Sequence, residues 1–257
     1  MEANADIPLL ISCFFGGQIR TVYPAVRGRY CVFFSNSESY RALAEARGWQ
    51  FRLVKSLPVT SDYRESSIQA KYIKFLQFFD EFPEFAIFNR IIYFDHTIYF
   101  RRSDLNWLQS HQAPGKSALV LRHLAEERTI WGEVEAASAQ DRYALTMPET
   151  IKWLRSMERD GVVCLDGKVD ATTIISYQNP GLIRELLDMV YAQTIRLGQP
   201  ECQIIWSALG QRYESSIQRV DWHELEPLWR VPYQPKRDRL ADLSRRVVNR
   251  VRRQISG

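Results

Sequence analysis

The sequence predicts an α/β protein, one domain with a mostly parallel central sheet flanked by helices. Three observations lead there. Short runs of apolar, β-branched and aromatic residues alternate with longer stretches whose apolar residues recur every three to four positions, the order that gives parallel strands joined by crossover helices. One run, Ile91-Ile92-Tyr93-Phe94, is continuously apolar, as a strand buried on both faces requires. A length of 257 residues with 46% apolar side chains supports one large core, since open α/β folds reach this size as a single unit.

The first strand is expected over residues 9–15. Glu2 and Asp6 precede its apolar run where a secretory signal would place Lys or Arg, so the run reads as core and not as a targeting segment. Strands two and three fall at 30–34 and 51–54. Gly16-Gly17 closes the first and Ser35-Asn36-Ser37 the second, turn and capping residues at the edge where such sheets bind ligands. Ile68, Tyr72, Phe75, Leu76 and Phe79 share one face of a helix over 67–82, with Lys71 and Lys74 near its start. The strand at 91–94 then stops at Asp95-His96-Thr97.

Ser103 is the expected cap of the next helix, with Asp104 in its first turn. A strand at 118–121 leads into Arg122-His123. Helices are predicted over 126–139 and 148–159, a strand over 172–177, and helices over 180–196 and 201–213. No apolar run approaches the roughly 20 residues that span a bilayer.

The formal charge of +4 is unevenly placed, because residues 236–253 hold eight Lys or Arg and two Asp, leaving the rest near −2. In this tail Leu240, Leu243, Val247, Val251 and Ile255 recur at helical spacing among the arginines, a basic amphipathic helix over 236–257. Such a stripe either packs on the body or lies on an anionic membrane surface. No base-reading pattern accompanies the charge, so nucleic acid is not an expected partner. Cys13, Cys31, Cys164 and Cys202 show no C-x-x-C spacing, which points to a reducing, cytoplasmic setting and away from zinc.

Asp95 is the most informative residue. A carboxylate ending a buried central strand stands at the carboxyl edge of the sheet, where open α/β folds bind ligands, although a lone Asp there serves equally as a turn former. The run Ile91-Ile92-Tyr93-Phe94-Asp95-His96-Thr97 resembles the central strand and D-x-D-like motif of the GT-A superfamily of nucleotide-sugar glycosyltransferases, and the likeness extends over roughly residues 7–229. It implies a GT-A-like domain over 1–235 that moves a sugar from a nucleoside diphosphate sugar to an acceptor hydroxyl, in cell-surface polysaccharide or glycolipid synthesis; the basic helix, laid on the inner face of a membrane, would add a lipid-linked glycan as acceptor. The resemblance also implies a divalent cation, Mn2+ or Mg2+, at Asp95. The second acidic position of the motif is Thr97, so His96 and His123 become the candidate replacement ligands.

Gln69 to Lys74 resembles the helix that supplies a basic residue to the donor in such families, which brings in Lys71 and Lys74. Arg122-His123, with Glu126, Glu127 and Arg128 after it, resembles a divergent group with a shortened motif. Asp166-Gly167-Lys168-Val169-Asp170 stands where the superfamily forms the wall shared by donor sugar and acceptor, and Asp166 or Asp170 would bind hydroxyls or act as base; a solvated turn is the plain alternative. Glu201-Cys202-Gln203 matches the acidic-plus-glutamine start of a late helix, where Glu201 also gains from the helix dipole. Ser12, Phe14 and Ser35 end strands where base and ribose would lie. A phosphohydrolase with Asp95 as nucleophile lacks its usual second Asp nearby. A nucleotide-sugar or carbohydrate-binding protein without transferase activity stays open, because Thr97 replaces a motif carboxylate.

Overall fold

Among the described residues seven strands form one sheet in the order β3-β2-β1-β4-β6-β5-β7: β1 (Leu9–Cys13), β2 (Tyr30–Ser35), β3 (Gln50–Leu53), β4 (Arg90–Phe94), β5 (Ala118–Arg122), β6 (Asp170–Gln178) and β7 (Ile217–Asp221). The computed structural model describes residues 7–221 apart from 18, 20 and 123–127; His123 and the basic stripe at 236–257 lie outside the described residues. All strands but β6 run the same way, β6 pairing antiparallel with both β4 and β5. The expected class, a mostly parallel α/β sheet in one domain, is the observed one.

Helices cover both faces: α1 (Arg41–Glu45), α2 (Tyr63–Lys74), α3 (Arg102–His111), α4 (Ile130–Ser138), α5 (Asp141–Ala144), α6 (Met147–Arg159), α7 (Arg184–Leu197) and α8 (Cys202–Gly210). Strand alternation sends Leu9, Ile11, Ile91 and Tyr93 to one face, against Ile73 of α2, Val190 of α7 and Trp206 of α8. Leu10, Ile92 and Leu119 go to the other, against Ala44 of α1 and Leu105 and Leu108 of α3. A third cluster packs Ile130 of α4 and Leu154 of α6 on Ile204 of α8. α8 is therefore enclosed from two sides, and every residue of it except Gln203 is buried.

Local chemistry sets where the elements start and stop. α2 begins at Tyr63, ahead of the expected 67, because the Asp62 carboxylate accepts the Arg64 and Glu65 amides at 2.7 and 3.0 Å. It ends at Lys74, short of the expected 82. Leu76 turns left-handed at φ 55°, and its carbonyl is held by Arg184 Nη1 at 3.0 Å. Arg101, not Ser103, caps α3, its amide donating to Asp104 Oδ2 at 2.7 Å. α4 starts at Ile130, where Thr129 Oγ1 accepts the Gly132 amide. β7 escapes the pattern because it is a five-residue edge strand with only Ile217 and Val220 buried, held by parallel pairing with β5.

One irregularity shapes the site. Val120 of β5 lies opposite Ile175, but the next residue, Leu121, lies opposite Ala171, so residues 172–174 of β6 bulge out of the β5 ladder. They stay with β4, Phe94 opposite Ile174 and the Asp95 amide donating to the Thr173 carbonyl at 2.9 Å.

Candidate active site

Chain order reverses around β1, which has β2 on one side and β4 on the other. The carboxyl ends of β1 and β4 therefore open a crevice, the usual ligand position in such sheets. A cleft of about 710 Å³ lies there, within the range of small-molecule sites. Its floor is the chain after β1 (Phe14, Gly16) and after β4 (Asp95, His96, Thr97); α2 gives one wall and the start of α8 another.

The centre is an ion pair. Lys74 Nζ lies 3.2 Å from Asp95 Oδ1, 3.5 Å from Thr172 Oγ1 and 5.0 Å from the centre of the Tyr93 ring. The Tyr93 hydroxyl donates to the same Asp95 oxygen at 2.6 Å. Burial alone would favour a neutral Asp95, but the Lys74 and Lys71 ammonium groups and the Tyr93 hydroxyl outweigh it and hold the carboxyl below its ordinary value. Burial likewise works against the Lys74 charge, and Asp95 more than restores it, so its pKa is raised. The pair stays ionised.

Lys71, one helical turn before Lys74, lines the same cleft and is buried. Burial lowers the pKa of His96 against the pull of Asp95, which keeps the imidazole neutral at pH 7; its ring meets Phe14 edge-on at 4.9 Å, and Phe14 meets Tyr40 at 5.4 Å. Across the cleft, Glu201 precedes α8, and burial together with Glu201 raises the Tyr143 phenol above its ordinary pKa. Gln203 donates to Glu133 at 2.6 Å, and Arg128 pairs with Glu133 at 2.7 Å.

The fold thus brings Phe14, Lys71, Lys74, Asp95, His96, Thr97, Glu201 and Gln203 around one cavity. It leaves others away from it. Ser12 is sealed inside β1, its hydroxyl without a hydrogen-bond partner. Ser35 is equally buried at the end of β2, accepting the Ser37 amide. Asp166 is an exposed loop residue. Asp170 is not in a loop: it is the first residue of β6 and wholly buried. Both its oxygens accept from Arg219 Nε at 3.0 Å, Trp206 Nε1 donates at 3.2 Å and Arg122 Nε stands 3.8 Å away. Geometry makes it a structural carboxylate, with no face on the cleft.

Sequence reasoning missed Tyr93, Thr172, Thr173, Arg142 and Tyr143 in the lining. Tyr93 was legible, since residues two apart on a strand share a face. The β6 bulge and the approach of α5 left no local signal.

Among the described residues the donor set does not fit a bridging divalent cation. A hard cation needs several oxygen ligands, whereas Asp95 is already neutralised by Lys74, and Thr97 supplies no charge. Among the described residues no three His, Cys, Asp or Glu side chains stand together as a metal site.

No protein-family model matches the chain, and no curated protein matches it. Solved structures do. The apo form of mouse xyloside xylosyltransferase 1 is similar with a TM-score of 0.49 at 12% identity, covering 84% of this chain and 86% of its own. A glycosyltransferase involved in glycosylation of the major capsid of PBCV-1 gives 0.42 at 10%, covering 84% and 82%. The 4-diphosphocytidyl-2C-methyl-D-erythritol synthase of Anaerococcus prevotii gives 0.43 at 10%, covering 91% and 93%. Among the described residues no helix is long and apolar enough to cross a membrane.

Proposed function

We propose that this protein is a glycosyltransferase that takes a sugar from a nucleoside diphosphate sugar and passes it to an acceptor hydroxyl. The observation that carries this is the cleft at the carboxyl ends of β1 and β4, with two buried lysines one turn apart on α2 and a carboxylate fixed between strand end and ammonium. Two cationic groups in a low-dielectric wall suit a diphosphate. Phe14 offers an aromatic surface for the base, and Glu201 and Gln203 face the side on which the sugar and acceptor would meet.

In this reading the enzyme works by holding donor and acceptor together and by stabilising charge on the departing diphosphate. Glu201 is the carboxylate placed to take the acceptor proton, a role that Asp170 is too enclosed to perform. The cation expected from the GT-A resemblance would have to compete with Lys74 for Asp95. A lipid-linked or glycan acceptor at the inner face of a membrane is supported by the basic stripe at 236–257.

Incubating the protein with a panel of nucleoside diphosphate sugars and measuring release of the nucleoside diphosphate tests the reading. Turnover of at least one donor is expected, and a truncation after Pro235 should retain it while losing sedimentation with anionic vesicles. Tight nucleotide binding with no turnover, acceptors included, would leave a binding protein instead; no binding and no turnover removes the reading.

A further inference from the structure

We infer that the donor's diphosphate is neutralised directly by Lys71 and Lys74, with Asp95 as a positioning residue for Lys74, and that no divalent cation bridges protein and phosphate. This rests on the donor reading above and specifies its chemistry.

Four observations converge. Lys74 is anchored from three sides, by Asp95, by Thr172 and by the Tyr93 ring, with only 4% of its side chain exposed. Lys71 lines the same cleft, is buried, and makes no hydrogen bond or ion pair to any described residue. Its ammonium on the cleft wall is therefore a charge that an entering anion can meet. Asp95 Oδ1 already accepts from Tyr93 and faces Lys74. Finally, Thr97, two residues after Asp95, lines the cleft without adding a charge.

Charge decides between the alternatives. Adding a dication beside Asp95 places it next to two ammonium groups in a wall of low dielectric, where like-charge repulsion is strong. Adding a diphosphate places two or more negative charges against the same pair. In the transfer step the bond between the sugar's anomeric carbon and the diphosphate oxygen breaks, with its electron pair on the diphosphate. The acceptor oxygen bonds to that carbon, and the acceptor proton leaves to Glu201. The charge that grows on the leaving oxygen meets the ammonium groups of Lys71 and Lys74, which act where a metal ion otherwise would.

Calorimetric titration of the full chain with UDP, GDP, ADP, CDP and inorganic pyrophosphate, each in excess EDTA and in manganese, tests this. At least one diphosphate should bind in EDTA, with manganese changing Kd by less than about three-fold. Lys71→Ala should weaken pyrophosphate roughly ten- to a hundred-fold, the loss of a charge-assisted contact. Asp95→Asn should keep or tighten pyrophosphate binding, because an anion beside the phosphate is removed, whereas a cation-bridged site would lose it. Should that variant not fold, the EDTA and manganese arms on the unaltered protein decide alone. Binding that appears only with manganese overturns the inference and leaves the donor reading standing. Binding in EDTA that Lys71→Ala does not alter overturns the role of the lysines. No binding under either condition overturns both.

Discussion

Asp95 and Asp170 stand at the same edge of the sheet, one ending β4 and the other beginning the antiparallel β6, yet the fold treats them in opposite ways. Asp95 faces the cleft, 32% of its side chain exposed, with one lysine at 3.2 Å. Asp170 has no exposure, and Arg219, Trp206 and Arg122 surround it. Burial raises the Asp170 carboxyl against the pull of Arg219 and Arg122, while Lys74 and Lys71 hold Asp95 low in spite of burial. The difference teaches that a carboxylate at a sheet edge serves chemistry only where the neighbouring elements leave it a face. α8 and β7 close over Asp170, whereas α2 and the start of α8 stand apart around Asp95.

The largest effect should come from the sealed side. Asp170→Asn leaves two guanidinium groups without their counter-charge and should lower the unfolding free energy by about 3–5 kcal/mol, read by denaturant titration, while diphosphate affinity of the folded fraction stays unchanged. A large loss of affinity at constant stability would break the comparison. Asp95→Asn should cost less, about 2 kcal/mol, because the position is partly solvated, and should abolish transfer. The double variant Lys74→Met with Asp95→Asn should recover part of that stability, since removing both charges leaves neither unpaired.

Gly16 sharpens the picture of the open side. Its φ of 127° suits glycine, and a Cβ there would come 3.2 Å from Ser66 Oγ on α2. Gly16→Ala should therefore cost about 1 kcal/mol or more and disturb ligand affinity, which Asp170→Asn should not. A variant with unchanged stability and affinity would show that this close approach is dispensable.

The smallest effect is a pH dependence. The folded pKa of His96 lies below its ordinary value of 6.5, so the unfolded chain takes up its proton first as pH falls. Stability should decline as pH drops from 6.5 toward the lowered folded value, the sign expected when the unfolded state binds more protons. His96→Gln should flatten that part of the profile. Denaturation midpoints across the window that run parallel in both proteins would exclude His96 as the cause.

Much of the fold was legible along the chain. Alternating apolar runs and helical stripes place six of the seven strands, because strands buried on both faces must be apolar throughout. The same logic places Asp95, Lys71 and Lys74, since an acid ending such a strand and basic residues on an amphipathic helix are local patterns. β7 was not legible, as its stability comes from pairing with β5 and not from its own composition. Nor was the boundary of α2, which depends on a side-chain cap and on a left-handed Leu76 held by a residue more than a hundred positions away.

The residues of this protein determined by themselves its α/β class, its apolar strands, and the identity of the charged groups at the sheet edge. Only the tertiary structure decided which of those groups meet. Asp166-Gly167-Lys168-Val169-Asp170 reads as a polar loop, but Asp170 becomes core because Arg219, from a strand invisible in the sequence, neutralises it. Thr172 and Thr173 join the cleft through a bulge that exists only because β6 pairs with two neighbours of different register. The physical reason is the same in both cases: solvation and charge pairing are set by distances between segments remote in sequence, and no local pattern encodes them.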